Sequence, residues 1–341
     1  MPHVRPFRAV RYSDTTNLKN LVCPPYDVIS SVEQRRLHDR DPNNAVHLEL
    51  ASAGYDRDER NRTAAETFWR WLDEGVLRRD RGASFSIYRQ DFVGADGRRR
   101  RVAGVIGALD LEPLGERSGV LPHERTMPGP IIERLSLMRA LPVNTSPIYA
   151  IYRGEGGLTP FLDSLEHRPT ASRFADEHGT LHRLWVIQAP AELETLAEAL
   201  KPGPLVIADG HHRYETALAF SRQQTGPGGH EAVLCFCVDA DSEDVTVLPY
   251  HRALLTGVAP ESLLDRLAAS YPATPISAED GAEALADSAA DHPFLWHTNA
   301  GDVLIEVSDA DVVTVLGNKA RAWRDLDVVA LHEAVFREVL P

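Results

Sequence analysis

The chain has 341 residues, enough for two or three domains of ordinary size. Lys and Arg total 36 against 50 Asp and Glu, a formal net charge of -14, which excludes a protein that grips nucleic acid through bulk phosphate neutralisation. With 43% hydrophobic and 25% charged residues the composition is that of a globular chain with a large core, not of a disordered, collagenous or coiled-coil one.

The three cysteines, Cys23, Cys235 and Cys237, are too few and odd in number for a disulfide framework. The latter two sit in the apolar run from Val233 to Val238 and read as small core residues. The opening MPHVRPFRAVRY lacks the apolar stretch of a signal peptide. No run approaches the roughly 18 apolar residues of a membrane span. A cytoplasmic protein with no membrane partner is expected.

In chain order, a strand is expected over Val4–Tyr12. The diproline loop Pro24-Pro25-Tyr26-Asp27 follows, where fixed backbone angles stop any helix. Ala64, Phe68, Trp71 and Leu72 are spaced as one helical face. Strands Ser84–Phe92 and Val102–Leu111 flank a turn at Gly94 to Gly97, with Arg98–Arg101 read as its solvated end. Residues 121–130 hold too much Pro and Gly for regular structure. A helix opened by Pro130 carries Ile131, Leu135, Met138 and Leu141, and a strand Pro147–Tyr152 follows. Ala191–Leu200 has an amphipathic pattern. A strand Pro204–Ala208, a helix His211–Gln223 and a strand Val233–Val238 together predict a βαβ unit with parallel strands. Beyond it come a strand Thr246–Leu248, helices Ser262–Tyr271 and Ala278–Ala290, a strand Asp302–Val307 and a helix Val328–Val339. Three regions follow from this pass: 1–155, 156–260 and 261–341, the last packing on the core.

One segment breaks local rules. Leu205 to Glu215 joins a buried strand to a helix through Asp209-Gly210-His211-His212-Arg213. A helix start carries unpaired N–H groups and partial positive charge, so acids belong there. Here it holds two histidines and an arginine. That arrangement makes sense if an anion is bound by the N–H groups and Arg213, with Gly210 letting the backbone come close. Asp209 is placed to cap the helix or to hold a magnesium ion that accompanies nucleotide phosphates. In the Pro/Gly-bounded loop, His123 and Glu124 are followed by Met127 rather than by a second histidine at helical spacing, so the zinc reading of that loop fails.

The Asp209–Arg213 box resembles the nucleotide-phosphate motif of the ParB/sulfiredoxin-like superfamily, and in particular its free-serine kinases. Over nearly its full length the chain resembles the DUF1015 family. That likeness rests on Pro24 to Ser30, His123 to Thr126, Arg134-Leu135, Asn144 to Tyr149, the Asp209–Arg213 box and Leu248 to Arg252. The resemblance implies a mixed α/β (α+β) fold, with a ParB/sulfiredoxin-like nucleotide-binding core inside a larger two-region mixed-sheet protein. The serine-kinase likeness implies phosphoryl transfer from ATP, ADP or another nucleotide, with Mg2+, to the hydroxyl of a serine-like amino acid or related metabolite. Phosphoryl transfer also needs a carboxylate near the acceptor. Glu124 is the candidate base, and His123, Asp209 and His211 complete the candidate catalytic set. Gly210, His211, His212 and Arg213 are the candidate phosphate ligands. Tyr26, Asp27, Arg125, Thr126, Asn144 and Ser146 are candidate substrate contacts, and His251-Arg252 a further phosphate contact. Two alternatives stand beside the kinase: a nucleotide-binding switch without turnover, and a phosphate-ester hydrolase or lyase using the same anion site.

Overall fold

The computed structural model describes every residue except 1, 53–55, 95–96, 116–117, 125, 155, 202, 243–244, 246–250, 256, 318, 338–339 and 341. The chain forms two units, Met1–Val247 and Leu248–Pro341. No helix among the described residues is long and apolar enough to cross a membrane.

The strands of the first unit are Val4–Arg5 (β1), Val10–Tyr12 (β2), Leu77–Arg79 (β3), Phe85–Val93 (β4), Arg99–Asp110 (β5), Val120–Leu121 (β6), Ile148–Tyr152 (β7), Ser172–Ala175 (β8), Leu181–Ile187 (β9), Leu205–Asp209 (β10) and Ala232–Asp239 (β11). Its helices are Leu18–Leu21 (α1), Ser31–Arg40 (α2), Val46–Glu49 (α3), Arg57–Asp73 (α4), Pro128–Ala140 (α5), Thr159–Ser164 (α6), Pro190–Ala199 (α7) and His211–Ser221 (α8). A nine-stranded mixed sheet runs in the order β6-β10-β7-β11-β5-β4-β9-β8, with β1 paired to β5, and β2 and β3 form a separate ribbon.

Side chains alternate between the two faces of a strand, so each strand divides its residues between two environments. On one face Phe85, Ile87, Val105, Leu109, Ile148, Ile207 and Cys235 join Leu196, Leu200 and Tyr214 in the main core. On the other, Ser86 is paired with Ile106 and Ala108 with Leu234 across neighbouring strands. A smaller core of Leu48, Ala64, Phe68, Trp71, Leu77, Leu137 and Leu141 joins residues of α3, α4, β3 and α5.

The second unit has its own core, which includes Leu267, Ile305, Val307 and Val312. Its sheet orders Ala273–Ile276 (β12), Gly301–Val307 (β14) and His292–Thr298 (β13), with β14 central.

Several expectations need correction. The strand expected over Val4–Tyr12 is broken: β1 pairs with β5, Phe7 bridges to Ser84, and β2 leaves for β3. The βαβ unit does not form. Strand β7 inserts between β10 and β11, antiparallel to the first and parallel to the second, so β10 and β11 run in opposite directions. The parallel neighbour of β10 is the two-residue β6, too short to leave a period. The same insertion makes residues on both sides of the expected 155/156 boundary part of one sheet. The helix expected at Pro130 starts at Pro128, with Met127 as its N-cap. The helix expected over Val328–Val339 is a short turn, Asp327–Val329, followed by a π-helix over Ala330–Phe336. The expected strand Thr246–Leu248 lies outside the described residues.

Gly104 on β5 is where the second sheet face closes on itself. A Cβ there would stand 2.3 Å from the Cys237 carbonyl oxygen and 2.8 Å from the Phe236 ring. Its absence lets Phe236 approach Tyr88 at 5.4 Å between ring centroids, while Tyr149 stacks on the other side of Phe236 at 5.3 Å. Gly104→Ala is expected to cost about 1–3 kcal/mol through overpacking. A lower urea midpoint at unchanged slope is the check.

Candidate functional site

The two parallel strands β6 and β10 end at the same edge of the sheet. The chain leaving β6 becomes the 122–127 loop, and the chain leaving β10 becomes the Asp209–Arg213 box. Parallel neighbours therefore deliver the two motifs side by side, at the carboxyl ends of strands where α/β sheets place ligands.

The loop is tied to the first turns of α8. The His123 ring bonds through Nδ1 to the Ile207 carbonyl at 2.6 Å, and its backbone N–H donates to His211 Nε2 at 3.2 Å. The Met127 N–H donates to His212 Nε2 at 3.1 Å, and the Thr126 hydroxyl donates to Glu215 at 2.5 Å. Both histidines that looked misplaced at a helix start are thus acceptors for backbone N–H groups of the preceding loop. This corrects the expectation that an anion is needed to explain them.

These bonds also set tautomers. A carbonyl only accepts, so His123 carries its proton on Nδ1 and leaves Nε2 as a free acceptor. His211 accepts at Nε2, so in the neutral ring its proton sits on Nδ1. That Nδ1 lies 3.1 Å from Glu124 Oε1, off the axis of an aligned hydrogen bond. The His211 side chain is 1% exposed and that of Glu124 51%, so a solvent-reached carboxylate rests against a buried imidazole. Burial first, and then His123, hold the His211 pKa below its ordinary 6.5, against the pull of Glu124.

His123, Glu124 and His211 together offer three ligand atoms within 4.8 Å of one another, a set that could hold a metal ion. The second histidine of this grouping lies 88 residues away in sequence, at the start of α8, so helical spacing within the loop carries no mark of it. To ligate through Nδ1, His211 would have to give up the proton facing Glu124.

Arg213 does something other than expected. Its guanidinium donates to the Asp209 carboxylate and to the Pro147 carbonyl, with Asp27 Oδ2 at 3.9 Å. The Arg213 side chain is only 8% exposed. Two corrections follow. Asp209 makes no cap to α8; Gly210 occupies the cap position at φ +91°. The open face of Gly210 carries the arginine rather than a ligand, since a Cβ would meet Arg213 Nε at 3.0 Å. The N–H groups of the first turn are capped by no side chain, and that turn itself carries no acidic residue.

Behind Arg213 lies a second charged centre that the sequence reading did not single out as functional. Arg134 of α5 donates to Glu49 Oε2 at 2.5 Å and to the Glu49 carbonyl at 3.0 Å, and its guanidinium lies 4.1 Å from the centre of the Tyr26 ring. Arg134, Arg213, Ser146 and Thr216 line a chamber of about 30 Å3. The Ser146 and Thr216 hydroxyls are buried without partners. The visible signal was an acid and an arginine, each inside an apolar helical pattern.

The remaining candidates divide. Tyr26 and Asp27 reach this centre through Arg134 and Arg213. Asn144 is exposed beside the chamber. Arg125 lies outside the described residues. His251 and Arg252 belong to the second unit, where Arg252 Nε donates to His332 at 3.3 Å. The Cys23 thiol is pushed up to about 12 by burial and by Glu49, which is no setting for a nucleophile.

A family model described as "Protein of unknown function (DUF1015)" matches residues 4–329. No curated protein and no solved structure gives a significant match.

Two outcomes are expected. Gly210→Ala forces an L side chain into the left-handed region against Arg213, at about 1–3 kcal/mol; thermal or urea unfolding reads it. The His211 contribution to stability is complete above pH 6.5 and is lost as pH falls through the lower folded-state value, because the unfolded chain takes up the proton first. Between pH 6.5 and 5 the wild type should therefore lose stability more steeply than His211→Gln, as urea midpoints across that range would show.

Proposed function

The chain belongs to the DUF1015 family, and from the geometry of its 122–127 loop and Asp209–Arg213 box we propose that it is a nucleotide-dependent kinase acting on a small hydroxyl-bearing metabolite of serine-like chemistry. The observation that carries this reading is the half-exposed Glu124 carboxylate held 3.1 Å from buried His211 at the start of α8.

Each group then has a task. The phosphates of ATP or ADP lie against the first turn of α8, where the N–H groups of His211, His212 and Arg213 and the helix dipole face negative charge. Glu124 accepts the proton of the acceptor hydroxyl as its oxygen bonds to the transferred phosphorus and the bridging P–O bond to the nucleotide breaks. Neutral His211 lies against Glu124 and leaves its charge intact, and the His123–Ile207 bond fixes the loop. Arg213 acts at one remove, by holding Asp209 and the β7 entry in place. Asp209 keeps one carboxylate oxygen clear of Arg213 and is 56% exposed at its side chain, which suits a magnesium ion that retains most of its water. Such an ion would offset phosphate charge. On this reading β10 and α8 are the strand and helix of a ParB/sulfiredoxin-like nucleotide-binding core, and the mixed sheet around them accommodates it.

The three-ligand grouping favours one second reading, a metal-assisted phosphate-ester hydrolase in which a divalent ion activates water. The two are separable, because the kinase consumes nucleotide only with an acceptor present and the hydrolase releases phosphate without nucleotide.

The test is transfer of labelled phosphate from ATP or ADP to a panel of hydroxy-amino acids with Mg2+. Glu124→Gln is expected to lower turnover about 10²- to 10⁴-fold, the usual worth of a positioned base, while nucleotide affinity by thermal shift is unchanged. Full turnover in Glu124→Gln removes Glu124 as the base. Stabilisation by nucleotide with no acceptor turned over leaves a switch, and no stabilisation by any nucleotide overturns the proposal.

A further inference from the structure

The second face of the large sheet is not closed by its neighbours. Ile106, Ala108 and Leu234, all half-buried, form the floor of a cleft of about 530 Å3 within the first unit. Phe68 and Leu77 of the smaller core stand on its opposite side. A volume of this size, walled mainly by aliphatic and aromatic groups, is typical of small-molecule sites.

Charge around this cleft is one-sided. Arg5, Arg8, Arg11 and Arg79 line it. Among the described residues the one acid lining it, Glu49, is engaged by Arg134. Arg11 is paired with Asp80 and Arg5 with Asp110. Arg8 donates from Nε to the Asp80 carbonyl at 3.0 Å, and neither Arg8 nor Arg79 has an acidic partner among the described residues. With Arg5 and Arg11 spent on Asp110 and Asp80, Arg8 and Arg79 remain as two cations at an apolar cleft in a chain of net charge -14. Guanidinium groups match carboxylates in a fixed two-point geometry.

We propose that this cleft binds an amphipathic carboxylate, with its hydrocarbon body on the Ile106–Ala108–Leu234 floor and its acid group on Arg8 and Arg79. The site does not depend on the kinase reading. It shares the Val143–Thr145 wall with the chamber behind Arg213.

Isothermal titration of the full chain with decanoate, decanol and acetate tests the proposal. Decanoate should bind at one site. Decanol should bind at least about tenfold more weakly, as expected on losing charge-assisted hydrogen bonds, and acetate not measurably. Ala108→Trp, which fills the floor, should abolish decanoate binding. Arg8→Glu with Arg79→Glu, both on exposed side chains, should weaken it at least about tenfold and should remove the preference over decanol. If Ala108→Trp fails to fold, the arginine pair decides alone. No saturable binding of decanoate, equal binding of decanol, or unchanged affinity in the arginine variant overturns the proposal.

Discussion

The site depends on one buried cation. The Arg213 guanidinium spans from the carboxylate at the end of β10 to the carbonyl that precedes β7, across the face of Gly210. A charge with only 8% of its side chain exposed is tolerable only when its hydrogen bonds are met by an opposite charge and by backbone. That requirement fixes three things together: the glycine at the start of α8, the acid before it, and the seam between two antiparallel strands. The histidines that follow are then free to face the 122–127 loop.

The loop in turn is held from below by side-chain acceptors on α8 and by the Ile207 carbonyl. A Pro/Gly-bounded segment has little secondary structure of its own, so these bonds supply its order. They leave Glu124 as the one described carboxylate of the loop in contact with solvent, with an imidazole of set tautomer beside it. A neutral imidazole beside a carboxylate brings no opposing charge, as an arginine in the same place would. The two arginines nearby are instead turned inward, Arg134 to Glu49 and Arg213 to Asp209. Cationic residue types written next to one another in a motif need not face the same ligand.

The sheet gives the molecule two unlike faces. One is sealed by α7 and α8 into the main core. The other meets only partial cover and keeps half-buried aliphatic groups beside arginines. The pairing of Ser86 with Ile106 and of Ala108 with Leu234 places small groups along this face, which is what leaves room above it. Gly104 marks where that room ends, since there the rings of Tyr88, Phe236 and Tyr149 close the surface.

From the residues alone, the mixed α/β class, the family, the break at Gly210 and the unusual charge at the start of the following helix were legible. Each leaves a local mark: an apolar period, a glycine between strand and helix, or charged residues where a helix start disfavours them. The order of strands was not legible, because β7 pairs across gaps in sequence that carry no periodic signal and β6 is two residues long. Nor was the direction in which each charged side chain turns. Arg213 and His211 have the right types for an anion, but their partners, Pro147, Asp209 and the His123 N–H, are chosen by which strand ends meet at one edge of the sheet. Residue type sets what a group can do, and only the packing of strands distant in sequence decides which neighbour it does it with.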